Sequence, residues 1–129
     1  MYKIIKKNAK LNDEVIKLLE VNSECRKGIF FVRLSGILTK DTVKKLREEI
    51  TNLVIDNEIR NIVFNLNELK KIDEKGINEL YYNFELTKQN KGISLICGIN
   101  ESINKVIKNA RITKYMNEIT DELSAFNLI

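Results

Sequence analysis

The chain has 129 residues, 43% hydrophobic and 31% charged, as expected of one globular domain that buries roughly two-thirds of its unfolded surface. It has no apolar run of about 18 residues and no apolar signal core at its start, so neither a membrane span nor export is expected. Histidine is absent and only Cys25 and Cys97 carry thiols, which excludes the usual zinc site, a disulfide framework and the commonest general base.

Both cysteines read as reduced thiols of a cytoplasmic protein. No nucleophile elbow, phosphate-binding loop or dinucleotide fingerprint is present, so no catalytic residue, cofactor or metal is expected. The abundance of Lys, Asn and Ile is discounted as genome bias. The net charge of +4 sits in residues 1–12, where Lys3, Lys6, Lys7 and Lys10 meet no acid. Residues 1–17 are read as a basic N-terminal extension and 18–129 as a single domain. A basic arm can bind nucleic acid or anionic lipid, but four lysines without arginine read first as a solvated terminus.

In chain order, Leu11, Val15, Leu18 and Leu19 fit a helical stripe, while Leu19 and Val21 equally fit an edge strand. A strand is expected over Leu18–Cys25, then a hairpin turn at Lys27-Gly28 and a strand over Ile29–Leu34, followed by Ser35-Gly36. Thr39 is expected to cap a helix whose apolar face is Val43, Leu46, Ile50, Leu53 and Val54. Arg60–Leu66 reads as a central strand buried on both faces. A second helix runs from Asp73 to about Asn90, with Ile77, Leu80, Tyr81 and Phe84 on one face, and Lys91-Gly92 closes it. A strand over Ile93–Gly98 follows, then a helical face of Ile103, Val106, Ile107 and Ala110. A last edge strand over Tyr115–Ile119 precedes a terminal helix capped by Thr120 and containing Leu123 and Phe126. Successive strand–helix–strand units imply an α/β fold with a mostly parallel or mixed sheet of four to five strands and about four helices.

The corner Ile72-Asp73-Glu74-Lys75-Gly76 attracts attention on chemistry alone. Asp73 suits the N-cap, and Glu74 complements the positive end of the helix dipole. Lys75 opposes that dipole, and Gly76 costs roughly 1 kcal/mol against alanine inside a helix. Such a corner reads as a surface kept for function, with an ordinary helix cap as the alternative.

Three stretches resemble the STAS domain of bacterial anti-sigma factor antagonists. Val32-Arg33-Leu34-Ser35-Gly36-Ile37-Leu38 looks like the family's strand ending in a Gly-x-Leu turn. Ile59–Leu66 with Leu69 looks like its central strand, and Ile72–Ile77 lies where the family has Asp-Ser-Ser-Gly-Leu. The resemblance covers roughly residues 18–128. It implies a non-enzymatic binding module of transcription regulation and signal transduction. Typical members bind an anti-sigma factor kinase through this corner and are released by serine phosphorylation. Here Glu74 and Lys75 stand at the two serine positions, so no phosphorylation is expected at Lys75.

The expected partner is a protein, an anti-sigma factor kinase-like or scaffold protein, with the chain itself a monomer or weak homodimer. Nucleic acid is not an expected partner, and a membrane is reached only through a partner. Candidate partner-binding residues are Asp73, Glu74, Lys75 and Gly76, with Thr39 and Lys40 adjacent, and an apolar pair of Tyr82 and Leu86. Alternatives are an accessory subunit of a transport system or stress-sensing assembly, or nucleic-acid or lipid binding through the basic arm.

Overall fold

The computed structural model describes residues 18–129. Expectations that fall on residues 1–17, including the basic arm and the helical reading of its last residues, lie outside the described residues. Strand β1 (Leu19–Arg26) turns at Lys27-Gly28 into β2 (Ile29–Leu38). Helix α1 follows as Val43–Leu46, a π-helical stretch Arg47–Thr51, and Asn52–Asp56. Then come β3 (Asn61–Ile72), α2 (Glu74–Gln89), β4 (Ile93–Cys97), α3 (Glu101–Ala110), a 3-10 turn Ile112–Lys114, β5 (Asn117–Glu118) and a 3-10 segment Glu122–Asn127. The sheet is mixed, in the order β1-β2-β3-β4-β5, with β1 antiparallel to β2 and the other pairs parallel.

One side of the sheet carries the main core. Phe30, Val32, Leu34, Ile62, Phe64, Leu66 and Ile96 pack there against Leu46, Ile50, Val54, Ile77, Leu80, Ile103 and Ile107 from the three helices. The other side carries Ile29, Phe31, Val63, Leu95 and Cys97 beneath Ile119, Ala125 and Phe126 of the C-terminal segment. The central strand is therefore buried on both faces, as its continuous apolar run predicts.

Several boundaries differ from the sequence reading, each for a physical reason. Strand β2 does not stop at Leu34, and β3 does not stop at Leu66. Both continue to Leu38 and Ile72 by absorbing register shifts between Arg33 and Ser35 and between Gly36 and Ile37. These irregularities let Leu66, Leu69 and Ile72 all face the core, each no more than 3% exposed, although their spacing of three breaks strand alternation. In α1 the π-helical stretch retards the phase of the apolar face. Thr51 turns inward and is fully buried, while Leu53 turns outward and is 41% exposed. Val106 and Ala110 likewise lie on the exposed side of α3, leaving Ile103 and Ile107 as its core contacts.

Two caps also move. Thr39 is not the α1 N-cap. Its carbonyl accepts the N–H groups of Thr42 and Val43, and the Thr42 hydroxyl accepts the Thr39 N–H at 3.0 Å, so a closed turn precedes the helix. The terminal segment is a 3-10 helix capped by Asp121 rather than Thr120. Asp121 accepts from the Ser124 N–H at 3.0 Å, a bond that a threonine one residue earlier is not placed to make. The last strand shrinks to Asn117–Glu118, because the Tyr115 and Met116 N–H groups both turn back to the Ile112 carbonyl at 3.0 Å and close the 3-10 turn Ile112–Lys114.

Candidate functional site

The corner after β3 is a single residue long. Asp73 has extended backbone, φ −116° and ψ −176°, and its Oδ1 accepts the Gly76 N–H at 2.9 Å as an N-cap. Its other oxygen, Oδ2, accepts the Lys40 N–H at 2.9 Å. One carboxylate thus joins the start of α2 to the neighbouring corner after β2. Burial pulls the Asp73 carboxyl up. The backbone N–H groups of Gly76, Lys40 and Lys75, together with the Lys71 charge, outweigh it and hold the carboxyl below its usual range.

Gly76 is required here by packing. A Cβ on it would stand 2.3 Å from the Leu38 carbonyl oxygen, the same oxygen that accepts the Asp73 N–H. The N-terminus of α2 therefore rests against the last carbonyl of β2, and only glycine allows that approach.

The sequence-derived site residues separate into two groups. Glu74, Lys75 and Lys40 are exposed around the Asp73 tie. Tyr82 is 44% exposed and lies two helical turns along the face that begins at Lys75. Leu86 is half-buried and packs against the core, so the expected apolar pair reduces to Tyr82 at the surface. Thr39 is 5% exposed, and its hydroxyl accepts the Asp41 N–H at 3.3 Å, which makes it part of the corner's frame.

Sequence reasoning missed a buried polar seam between α1 and α2. Glu79 is 2% exposed and receives the Arg47 guanidinium at 2.6 Å and the Thr51 hydroxyl at 2.7 Å. Asn83 donates to the Thr51 hydroxyl and to the Glu79 carbonyl, both at 2.9 Å. One turn further, the Thr87 and Ser94 hydroxyls lie 2.6 Å apart. Arg47 is held above its usual value by its hydrogen bond and charge attraction to Glu79. The signal was present in the sequence: Glu79, Asn83 and Thr87 recur every four residues beside the apolar stripe. Only the inward turn of Thr51 reveals that this polar stripe faces a partner.

On the opposite side of the sheet, Arg33 fastens the C-terminal segment. Its guanidinium donates to both oxygens of Glu122, at 2.8 and 2.7 Å, and to Glu24 at 2.6 Å. Asn65 adds a bond to Glu122 at 2.8 Å. The bond to Arg33 lowers the Glu122 carboxyl despite partial burial, with Asn65 adding to the effect. Among the described residues no group of His, Cys, Asp and Glu could hold a metal ion, and no helix is long and apolar enough to cross a membrane.

Residues 20–125 match the STAS domain. The chain belongs to the STAS domain family. A relative within it, an anti-sigma F factor antagonist from Paenibacillus polymyxa, is 24% identical over 107 residues, spanning 83% of this chain and 92% of that protein. The crystal structure of an anti-sigma factor antagonist from Mycobacterium paratuberculosis superposes with a TM-score of 0.76 at 17% identity, covering 86% of this chain and 93% of that one. The Bacillus cell fate determinant SpoIIAA, in its phosphorylated form, superposes with a TM-score of 0.66 at 17% identity, covering 84% of this chain and 99% of that one. At these identities the solved structures show the shared STAS fold. The Paenibacillus relative adds the likeness to an anti-sigma factor antagonist.

Proposed function

We propose that this STAS protein is a non-enzymatic, cytoplasmic regulator of the anti-sigma factor antagonist kind. It binds a signalling protein, a kinase-like anti-sigma factor or a scaffold, without serine control at Lys75. Residues 18–129 act as the binding domain and residues 1–17 as a basic extension. The contact surface is the exposed rim of the Asp73 corner, Lys40, Glu74 and Lys75, continued along α2 by Tyr82. Asp73, Gly76 and Thr39 serve it from beneath as its rigid frame.

The observation that carries this reading is the double tie of Asp73. Fixing the Lys40 and Gly76 N–H groups with one carboxylate presents two neighbouring corners as one preorganised surface, which reduces the ordering cost of binding. Lys75 at the exposed start of α2 gives this surface a permanent positive charge where the family resemblance places a serine. A regulator built this way stays in its binding-competent form.

The test is affinity capture from native cell extract with the intact protein and with Lys75→Glu. One anti-sigma-type or scaffold protein should be captured by the intact chain and lost with Lys75→Glu. Equal capture by both would place the contact elsewhere. Recovery of a transporter subunit in its stead would replace the reading with that of an accessory subunit.

A further inference from the structure

Strand β1 is an open edge among the described residues: it pairs with β2 on one side, and no described strand lies on the other. Residues 22–26 are exposed along it. The hairpin fixes which backbone groups face outward. Lys27 and Gly28 have φ of 51° and 79°, the two positive values that a two-residue type I′ loop needs. The flanking pair Arg26–Ile29 therefore exchanges both of its hydrogen bonds. By alternation along the register, Glu24–Phe31, Asn22–Arg33 and Glu20–Ser35 do the same. The N–H and C=O groups of Val21, Ser23 and Cys25 point away from β2, into the open edge.

We propose that this edge pairs antiparallel with the same edge of a second copy, about a two-fold axis at Ser23. A closed dimer must use one patch against itself, and the side chains of β1 select the register. Centred on Ser23, the strands place Ser23 against Ser23, Val21 against Cys25, Asn22 against Glu24, and Glu20 against Arg26. Val21, Ser23 and Cys25 of each strand then find partners, giving about six new backbone hydrogen bonds, while the fourth outward-facing residue, Leu19, gives its carbonyl to the Lys45 ammonium of its own chain. Glu20 and Arg26 meet twice as opposite charges.

The neighbouring registers are worse. A two-fold at Asn22 sets Glu20 against Glu24, and one at Glu24 sets that carboxylate against itself, both like-charge pairs that destabilise a ladder. Glu20 and Arg26 are both exposed at the edge, the Arg26 charge also acting at longer range on Glu122. Glu24 is already engaged by Arg33 at 2.6 Å within its own chain. Neither Glu20 nor Arg26 forms an ion pair among the described residues. Arg26 lies over the Phe126 ring, 5.6 Å from its centroid, which holds it beside the edge. The contact is one short strand edge with few apolar side chains (Val21 and Cys25), so the dimer is weak and concentration-dependent.

The full-length chain tests this by sedimentation velocity and by register-specific crosslinking. Ser23→Cys in a Cys25→Ser background brings two thiols across the axis, where Cα atoms of a hydrogen-bonded pair lie about 5.5 Å apart, within disulfide reach. Asn22→Cys in the same background leaves them two positions out of register and should not crosslink. Glu20→Arg should weaken the dimer by about ten-fold, and adding Arg26→Glu should restore it. Circular dichroism identical to the parent chain shows that each exposed substitution leaves the fold intact. A monomer at every concentration, equal crosslinking at positions 22 and 23, or a dimer indifferent to Glu20→Arg would each overturn the proposal.

Discussion

Replacing Gly76 with alanine sets local helix preference against tertiary packing, and the two predict opposite signs. In a helix interior alanine is favoured over glycine by about 1 kcal/mol. The added Cβ, however, would stand 2.3 Å from the Leu38 carbonyl oxygen and 2.9 Å from Cγ1 of Ile72. That is about 1 Å too close to a backbone atom, and overpacking of this kind costs roughly 1–3 kcal/mol. Moving the Leu38 carbonyl away also weakens its bond from the Asp73 N–H, now 3.2 Å long, at a net cost of about 1 kcal/mol. The balance is a destabilisation of about 2 kcal/mol, or a fall in Tm of roughly 6–10 °C for a chain of this size. Urea denaturation should show a lower midpoint with an unchanged slope. Asn78→Ala, at an exposed position of the same helix, serves as the control and should stabilise by a few tenths of a kcal/mol. A Gly76→Ala midpoint equal to or above that of the parent would refute the close-packed corner.

Asp73→Ala should cost about 1–2 kcal/mol near neutral pH, through loss of the cap and of the Lys40 tie. The folded carboxyl is held below the ordinary value of 3.8, so its contribution is present above that pH and drains away as pH falls through the lower folded value. Denaturation midpoints of parent and variant should therefore converge in acid, and a constant gap down to pH 2 would contradict the assigned bonds. Cys97 is 2% exposed and its thiol is pushed up to about 11, by burial first and then by Glu122 and Asp121, whereas Cys25 is exposed. A thiol reagent at pH 8 should therefore label one cysteine rapidly and the second only on unfolding; truncation after Ile119 should make Cys97 react fast, and continued protection would show that the C-terminal segment does not cover it.

Much of the fold was legible because its signals are local. The Lys27-Gly28 turn, the apolar run of the central strand and the cap at Asp73 depend on neighbours in the chain, so composition and spacing report them directly. The corner residues were legible on the same grounds, with Gly76 flagged by its cost to the helix. What covers a side chain was not. Tyr82 and Leu86 differ by one helical turn in sequence and by exposure in space, because the core reaches under one and not the other.

The sequence by itself determined the order of strands and helices, since each element's periodicity is a property of its own backbone geometry. Tertiary structure decided the rest. It carried β3 on to Ile72, because bulges against β2 reset which side chains face inward. It turned Thr51 in and Leu53 out, because a π-helical stretch brings a hydroxyl to the buried Glu79 carboxylate and Asn83 amide. It also gave Gly76 its reason, a carbonyl from a strand 38 residues earlier in the chain. Burial of a polar group or the absence of a side chain is favourable only when a distant segment supplies the partner or occupies the space, and no local pattern records which segment that will be.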